Sequence, residues 1–140
     1  MKQLGKMGMV FLSLKLSDAS EHTISTNFYW MADSNDAYPL LAKLSPARVE
    51  ATARYITKDS IELTLINDAA GPVAFFNRIS LINSKDKQRI LPVYYSDNYI
   101  SILPGERQIV ILEYKPQNRV TPSIRLGGWN VPEQIIKIHK

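Results

Sequence analysis

Apolar and polar side chains alternate along most of this chain with a period of two residues. That period predicts β-strands that bury one face. Turn-forming residues interrupt the pattern about every 8–12 residues, a spacing typical of an antiparallel sandwich or barrel. The predicted strands cover residues 10–17, 23–31, 48–57, 60–66, 73–82, 90–95, 99–103, 108–114, 123–126 and 134–138.

The connections between these runs carry signals of their own. Residues 57–60 (Thr-Lys-Asp-Ser) predict a tight hairpin. Residues 103–106 (Leu-Pro-Gly-Glu) predict a type II turn, because Pro presets φ at the second position and Gly permits a positive φ at the third. A helical pattern occurs only at residues 37–44, where Pro39 and Pro46 limit the helix to about two turns.

The length of 140 residues suits one domain, which we place at residues 9–140, with residues 1–8 as a linker or cloning remnant. The apolar run at residues 7–16 is too short to span a membrane, which needs about 20 residues. Lys2 and Lys6 precede this run as in a signal peptide, but no small-residue cleavage site follows and the alternation continues. The sequence therefore predicts a strand there, no signal peptide and no membrane insertion.

The amino-acid composition excludes several kinds of functional site. The chain has no cysteine, which excludes disulfides, thiolate metal sites and a cysteine nucleophile, and it has only two histidines. Its net charge of +4 comes from basic residues scattered singly, so a nucleic-acid partner is not expected. No phosphate-binding loop or hydrolase motif occurs, so the sequence predicts no catalytic residue, no cofactor and no metal.

Two acidic groups are candidate sites. The Asp33, Asn35 and Asp36 cluster could bind calcium weakly, but the rest of a calcium loop is missing and a turn is favoured. Asp97 and Glu106 bracket a strand and turn and could approach as a glycosidase pair, but such carboxylates are more often solvated or capping.

The aromatic residues are the stronger candidates for binding, since sugars pack their C–H faces on rings, although large rings also fill sandwich cores. Trp30 ends a dense aromatic run and is expected to be structural, with Trp30→Ala costing about 3–5 kcal/mol through the cavity left behind. Asp97 and Asn98 are expected to bond nearby backbone groups where the chain bends. The candidate carbohydrate or domain-docking surface comprises Trp129, Tyr95, Tyr99, Asp97 and Asn98.

Three stretches together resemble a known family. They are Ser25-Thr26-Asn27-Phe28-Tyr29-Trp30 with the later Leu44-Ser45-Pro46, then residues 63–79 with Asn67 and Phe75-Phe76-Asn77, and residues 92–106 from Pro-Val-Tyr-Tyr-Ser-Asp-Asn-Tyr to Pro-Gly-Glu. Over residues 9–138 the chain resembles the C-terminal immunoglobulin-like domain of glycoside hydrolase family 2 enzymes, in the exo-β-D-glucosaminidase and β-mannosidase branch. The resemblance implies an all-β, immunoglobulin-like antiparallel β-sandwich of about seven to nine strands with Greek-key connections.

The resemblance also implies a non-catalytic role. In that family the catalytic carboxylates sit on a (β/α)₈ barrel, which does not fit in this chain. The expected function is to pack on other domains of a parent glycosidase and shape access to its active site, in the periplasm or outside the cell. The alternatives are a free-standing carbohydrate-binding module, with oligosaccharide as partner, and an adhesin-type interaction domain. A binding module needs coplanar exposed rings with polar neighbours, whereas a docking domain needs a contiguous apolar patch.

Overall fold

The structure is a computed structural model that describes residues 8–32 and 34–140, without the side chains of residues 35–37. A 3₁₀ helix covers Asn35–Lys43. The strands described are β1 (Met9–Ser17), β2 (Thr23–Ala32), β3 (Val49–Thr57), β4 (Ser60–Asn67), β5 (Ala74–Asn83), β6 (Val93–Tyr95), β7 (Ile100–Ile102), β8 (Arg107–Tyr114), β9 (Pro122–Gly127) and β10 (Gln134–His139).

The chain divides into two compact units at Leu44 and Ser45. The first contains the β1–β2 hairpin and the 3₁₀ helix. The second, Ser45–Lys140, contains the other eight strands. The single-domain expectation for residues 9–140 stays a prediction, and the linker expected at residues 1–8 falls, apart from Gly8, outside the described residues.

The second unit is an immunoglobulin-like β-sandwich. One layer has the strand order β6-β8-β4-β3 and the other has β10-β9-β5-β7. The first part of β10 pairs antiparallel with β9, and its end pairs parallel with β3, so β10 joins the two layers along one edge. Strands from β4 to β9 alternate between the layers, which gives the crossings of a Greek-key sandwich. Its eight strands lie within the expected seven to nine.

The core lies between these layers and follows the predicted alternation. Ile61, Leu63 and Leu65 of β4 are fully buried, and their neighbours point away from the core. The facing layer contributes its own alternate positions. The buried cluster contains Ala47, Val49, Ala53, Ile61, Leu63, Leu65, Ala74, Ile79, Leu81, Ile90, Ile102, Val110, Leu112, Tyr114, Ile124, Leu126, Val131 and Ile136.

The predicted connections form as expected. Thr57 pairs with Ser60 across the β3–β4 hairpin. The turn at residues 103–106 has Gly105 at φ +73° and a 3.0 Å bond from the Glu106 N–H to the Leu103 carbonyl oxygen. The short helix predicted at residues 37–44 is the 3₁₀ helix, which contains Pro39.

The hairpin corrects two expectations. β1 forms as predicted, but Leu12, Leu14 and Leu16 are exposed rather than half-buried. Trp30 is 42% exposed on β2, opposite Phe11, and is not in the sandwich core. The predicted cavity cost of Trp30→Ala is therefore wrong, since it assumed a fully buried ring. The aromatic run Phe28–Met31 indicated burial, but it belongs to the two-stranded sheet of the first unit, where Tyr29, Trp30 and Met31 are exposed.

Among the described residues, no helix has both the length and the hydropathy needed to cross a membrane. Asp33 lies outside the described residues, as do the side chains of Asn35 and Asp36, so the choice between a turn and a calcium site there stays a prediction.

Candidate docking and carbohydrate surface

The five candidate residues separate into two groups in the sandwich. Tyr95, Asp97 and Asn98 lie in the segment from β6 to β7, beside the edge of β5. Trp129 lies in the β9–β10 loop beside the start of β5, and Tyr99 reaches the same region through Phe76. The structure therefore brings Tyr99 and Trp129 to the start of β5. The Tyr95 hydroxyl instead contacts Leu81, further along the same strand.

Tyr95 and Asn98 take the place of a missing strand along β5. The Asn98 side chain accepts a bond from the Ile79 N–H (2.8 Å) and donates to the Ile79 carbonyl oxygen (2.9 Å). The Tyr95 hydroxyl accepts a bond from the Leu81 N–H at 3.1 Å. β7 pairs with β5 only at Ala74 and Asn77, so these side chains satisfy the backbone beyond that point. Asn98 and Tyr95 are thus structural, and their polar atoms are committed to the backbone.

Tyr95→Phe is expected to lower the free energy of unfolding by about 1 kcal/mol, because the Leu81 N–H loses its acceptor. Burial raises the pKa of Tyr95 above its usual value, while the Leu81 bond opposes that rise. Urea unfolding at neutral pH measures the change. The matched control is Tyr94→Phe at the neighbouring, 72% exposed position, which should change stability little. Equal effects of the two variants would contradict the role given to Tyr95.

The candidate catalytic pair, Asp97 and Glu106, accept hydrogen bonds from residues near them in the chain. Asp97 Oδ1 accepts the N–H of Asn98 at 2.7 Å, and Asn98 Oδ1 also accepts the N–H of Tyr99, as expected for backbone organisers. Glu106 Oε2 accepts the Leu103 N–H at 2.9 Å, and Oε1 accepts a bond from the Gln108 amide. These carboxylates therefore stabilise turns, in agreement with the capping interpretation.

An aromatic cluster occupies the start of β5. Phe76 and Tyr99 both have left-handed backbones, with φ of 55° and 56°, which is rare for bulky residues and costs about 1–3 kcal/mol each. At Phe76 the pairing register of β5 with β7 shifts, and the Phe76 N–H donates to the Ser101 hydroxyl. The Phe76 and Tyr99 ring centroids are 5.4 Å apart, and those of Phe75 and Phe76 are 5.7 Å apart. Backbone strain of this kind often marks functional sites.

The backbone of Trp129 is held to the start of β5. Its N–H donates to the Phe75 carbonyl oxygen at 2.9 Å, and its side chain is 59% exposed. Next to it, Asn130 is buried and bonds the backbone of two other segments through Ser45, Val73 and Phe75. This places an exposed indole on a rigid support.

The cluster suits contact with a protein surface better than stacking of a flat glycan. The rings of Phe76 and Tyr99 are inclined by 47°, and those of Phe75 and Phe76 by 41°, so they share no plane. The sequence pattern did not indicate a role for Phe76, which depends on the left-handed bulge, or for Asn130, whose partners are up to 85 residues away. The available signal for Asn130 was its place in the loop that follows Gly127-Gly128-Trp129.

Comparison with known proteins agrees with this fold. A family model described as "Exo-beta-D-glucosaminidase Ig-fold domain" matches residues 27–131. The exo-beta-D-glucosaminidase of Streptomyces avermitilis is 29% identical over 148 residues, covering 88% of this chain and 16% of that protein. A mannosylglycoprotein endo-beta-mannosidase of Lilium longiflorum is 37% identical over 82 residues, covering 54% of this chain and 9% of that protein.

A solved structure is similar over nearly the whole chain. The crystal structure of Amycolatopsis orientalis exo-chitosanase CsxA aligns with a TM-score of 0.83 and 26% sequence identity, covering 96% of this chain and 19% of that one. The chain thus spans less than a fifth of the length of each of these relatives. The match over residues 27–131 and the shared sandwich identify this chain as a member of the exo-β-D-glucosaminidase Ig-fold domain family, within glycoside hydrolase family 2.

Proposed function

We propose that this chain is a non-catalytic accessory domain of an exo-acting glycosidase similar to the exo-β-D-glucosaminidases, which docks on neighbouring domains and shapes access to the active site. Relatives several times longer than this chain support that reading. On this proposal, the catalytic carboxylates belong to another part of the parent enzyme, and the domain is exported with that parent to the periplasm or the cell exterior.

The observation that carries the docking role is the apolar face of the β1–β2 hairpin. Val10 pairs with Met31, and Leu12 pairs with Tyr29, and directly opposed residues in an antiparallel ladder point to the same face. Alternation along β1 adds two further leucines to that face. Its exposed members are Leu12, Leu14, Leu16, Tyr29 and Met31. A contiguous exposed apolar face of this kind marks an interaction surface.

A second domain of the same polypeptide is the partner that fits this face. An isolated two-stranded hairpin is at best marginally stable in water, so covering its apolar side stabilises it. The register also puts Asn27 opposite Leu14 and Ser25 opposite Leu16, so the paired positions of this face carry two polar residues and no charged one, which suits an apolar partner surface. The tilted rings of Phe76 and Tyr99 and the exposed Trp129 then supply a second contact at the end of the sandwich.

The test begins with the reading frame that contains this sequence. We expect it to encode a barrel domain upstream, and we expect the full-length protein, but not this chain, to release nitrophenol from aryl β-glucosaminide or β-mannoside. In the full-length protein, Leu14→Glu should separate the unfolding of this domain from that of its neighbour in calorimetry. The matched control is Ser13→Glu, which places the same charge on the opposite face of β1.

Two results would overturn the proposal. One is a frame without any catalytic domain. The other is turnover by this chain alone that a single carboxylate substitution abolishes. If Leu14→Glu and Ser13→Glu leave the unfolding transitions equally unchanged, the hairpin face is not the docking surface.

A further inference from the structure

A cleft of about 880 Å³ lies at the edge of the β6-β8-β4-β3 layer. One wall is formed by Pro92, Tyr94 and Pro116, and the other by the β3–β4 turn and the end of β8. Its lining residues are Thr57, Lys58, Asp59, Ser60, Pro92, Tyr94, Glu113, Tyr114, Lys115 and Pro116. The cleft is built only from residues of the sandwich, and its lining includes none of Trp129, Tyr95, Tyr99, Asp97 and Asn98.

Strand register explains why this cleft has a polar row beside an aromatic ring. Tyr94 lies directly opposite Glu113, and Glu113 lies opposite Ser60, so three side chains from three strands form one row. Leu112 and Tyr114 are buried in the core, so the residue between them points outward. Tyr94 is 72% exposed, which leaves its ring available as one wall.

Hydrogen bonds fix the opposite wall. The Tyr114 N–H donates to the Asp59 carbonyl oxygen at 3.0 Å, and the Tyr114 hydroxyl donates to the Lys58 carbonyl oxygen at 3.4 Å. The Thr57 hydroxyl donates to Asp59 Oδ1 at 2.6 Å, and this bond lowers the pKa of Asp59. Burial raises the pKa of Tyr114 to about 12, so its hydroxyl keeps its proton at neutral pH. The turn is therefore held in place before any ligand arrives, which reduces the entropy lost on binding.

The chemistry of the lining matches a pyranose ring. Tyr94 and the two prolines offer apolar surface for the C–H face of a sugar, and Glu113 and Asp59 offer acceptors for its hydroxyl groups. Lys58 and Lys115 offer donors, and the two positive and two negative charges cancel. Small-molecule sites commonly combine an apolar wall with a few polar groups in this way.

We propose that this Tyr94 cleft binds a pyranosyl oligosaccharide, with the Tyr94 ring stacked on one sugar and Glu113 bonded to its hydroxyl or amino groups. The choice of ligand class rests on the proposed function, because a glycosidase brings its accessory domain close to a saccharide chain. The cleft would then hold the substrate chain away from the catalytic centre, and hydrolysis would not require it.

The test uses the isotope-labelled 140-residue chain, titrated with β-1,4-linked tetrasaccharides of glucosamine and of mannose and followed by amide chemical shifts. We expect saturable shifts at residues 57–60 and 113–115. Tyr94→Ala should weaken binding about tenfold, because it removes most of the apolar area that the sugar covers. Glu113→Gln should weaken the glucosamine ligand more than the mannose ligand, because only the amino sugar carries positive charge.

Trp129→Ala is the matched control, since it removes an exposed ring outside the cleft, and it should leave binding unchanged. The inference is overturned if no shift saturates with either sugar, or if Trp129→Ala abolishes binding that Tyr94→Ala leaves intact. Failure of sugar binding is distinguishable from failure of the proposed accessory role, because the reading frame tests the latter independently. Saturable binding by a chain whose reading frame lacks a catalytic domain would instead make it a free-standing carbohydrate-binding module.

Discussion

Asn130→Ala is expected to lower the free energy of unfolding by about 3–5 kcal/mol. The Asn130 side chain accepts the Phe75 N–H at 2.8 Å and donates to the carbonyl oxygens of Val73 (2.8 Å) and Ser45 (2.9 Å). Alanine would leave all three backbone groups without this partner, and each unsatisfied buried group costs about 1–3 kcal/mol. Asn130 therefore ties the β9–β10 loop to the starts of β3 and β5.

Urea unfolding followed by circular dichroism measures this loss. Asn118→Ala serves as the control, because Asn118 is exposed in a turn and its removal should change stability by less than about 0.5 kcal/mol. A loss below about 1 kcal/mol for Asn130→Ala would show that water replaces the side chain and that the loop is not held in the way described.

Asn130→Asp refines the test through pH. The substituted carboxylate keeps the acceptor for the Phe75 N–H but turns a second oxygen toward two carbonyl oxygens, which raises its pKa in the folded state. A raised folded pKa contributes stability that is present below the unfolded value of about 3.9 and is lost as pH rises through the folded value. The deficit relative to the unsubstituted chain should therefore shrink as pH falls.

Gly128→Ala is expected to cost about 2–3 kcal/mol through overpacking. A Cβ at Gly128 would lie 2.9 Å from the Phe75 carbonyl oxygen, 2.9 Å from Asn77 Oδ1 and 3.2 Å from the Val131 Cβ. The first of these is backbone. The Asn77 side chain is fully buried and its amide donates to the carbonyl oxygens of Ala74 and Ile100, so it cannot swing away.

The adjacent glycine supplies the control for this substitution. A Cβ at Gly127 would meet only the Glu133 Cα at 3.5 Å and its side chain beyond, which are ordinary contacts. Gly127→Ala should therefore be neutral or stabilise by up to about 1 kcal/mol, since alanine reduces the entropy of the unfolded chain. Thermal unfolding of the two variants measures the difference. An equal loss of stability for both would contradict the close approach of other atoms to Gly128.

Together these two positions hold Trp129 at the end of the sandwich. Gly128 lets the loop lie against β5, and Asn130 bonds the loop to the backbone there. The same loop contributes Val131 to the buried core, so loss of either support should destabilise the core as well as loosen the Trp129 indole. Either substitution should therefore also weaken any docking contact that uses Trp129.

The sequence by itself determined the strands and the core. The alternation of β4 predicted which side of the strand is buried, because a period of two places every second residue on the same face. The Leu-Pro-Gly-Glu turn was also predictable, since Pro and Gly restrict the backbone locally. Asp97 and Asn98 were correctly expected to bond backbone groups, because that tendency lies within the residues themselves.

Only the tertiary structure decided where those residues find their partners and which aromatic rings are exposed. Asn98 bonds Ile79, and Asn130 bonds Ser45, across separations that no local pattern encodes. Trp30 and Tyr94 both lie in aromatic stretches, but exposure depends on which strands cover them, and strand pairing is a long-range property. The left-handed backbone of Phe76 lies in the bulge of β5 opposite β7, and that bulge exists only once those strands meet.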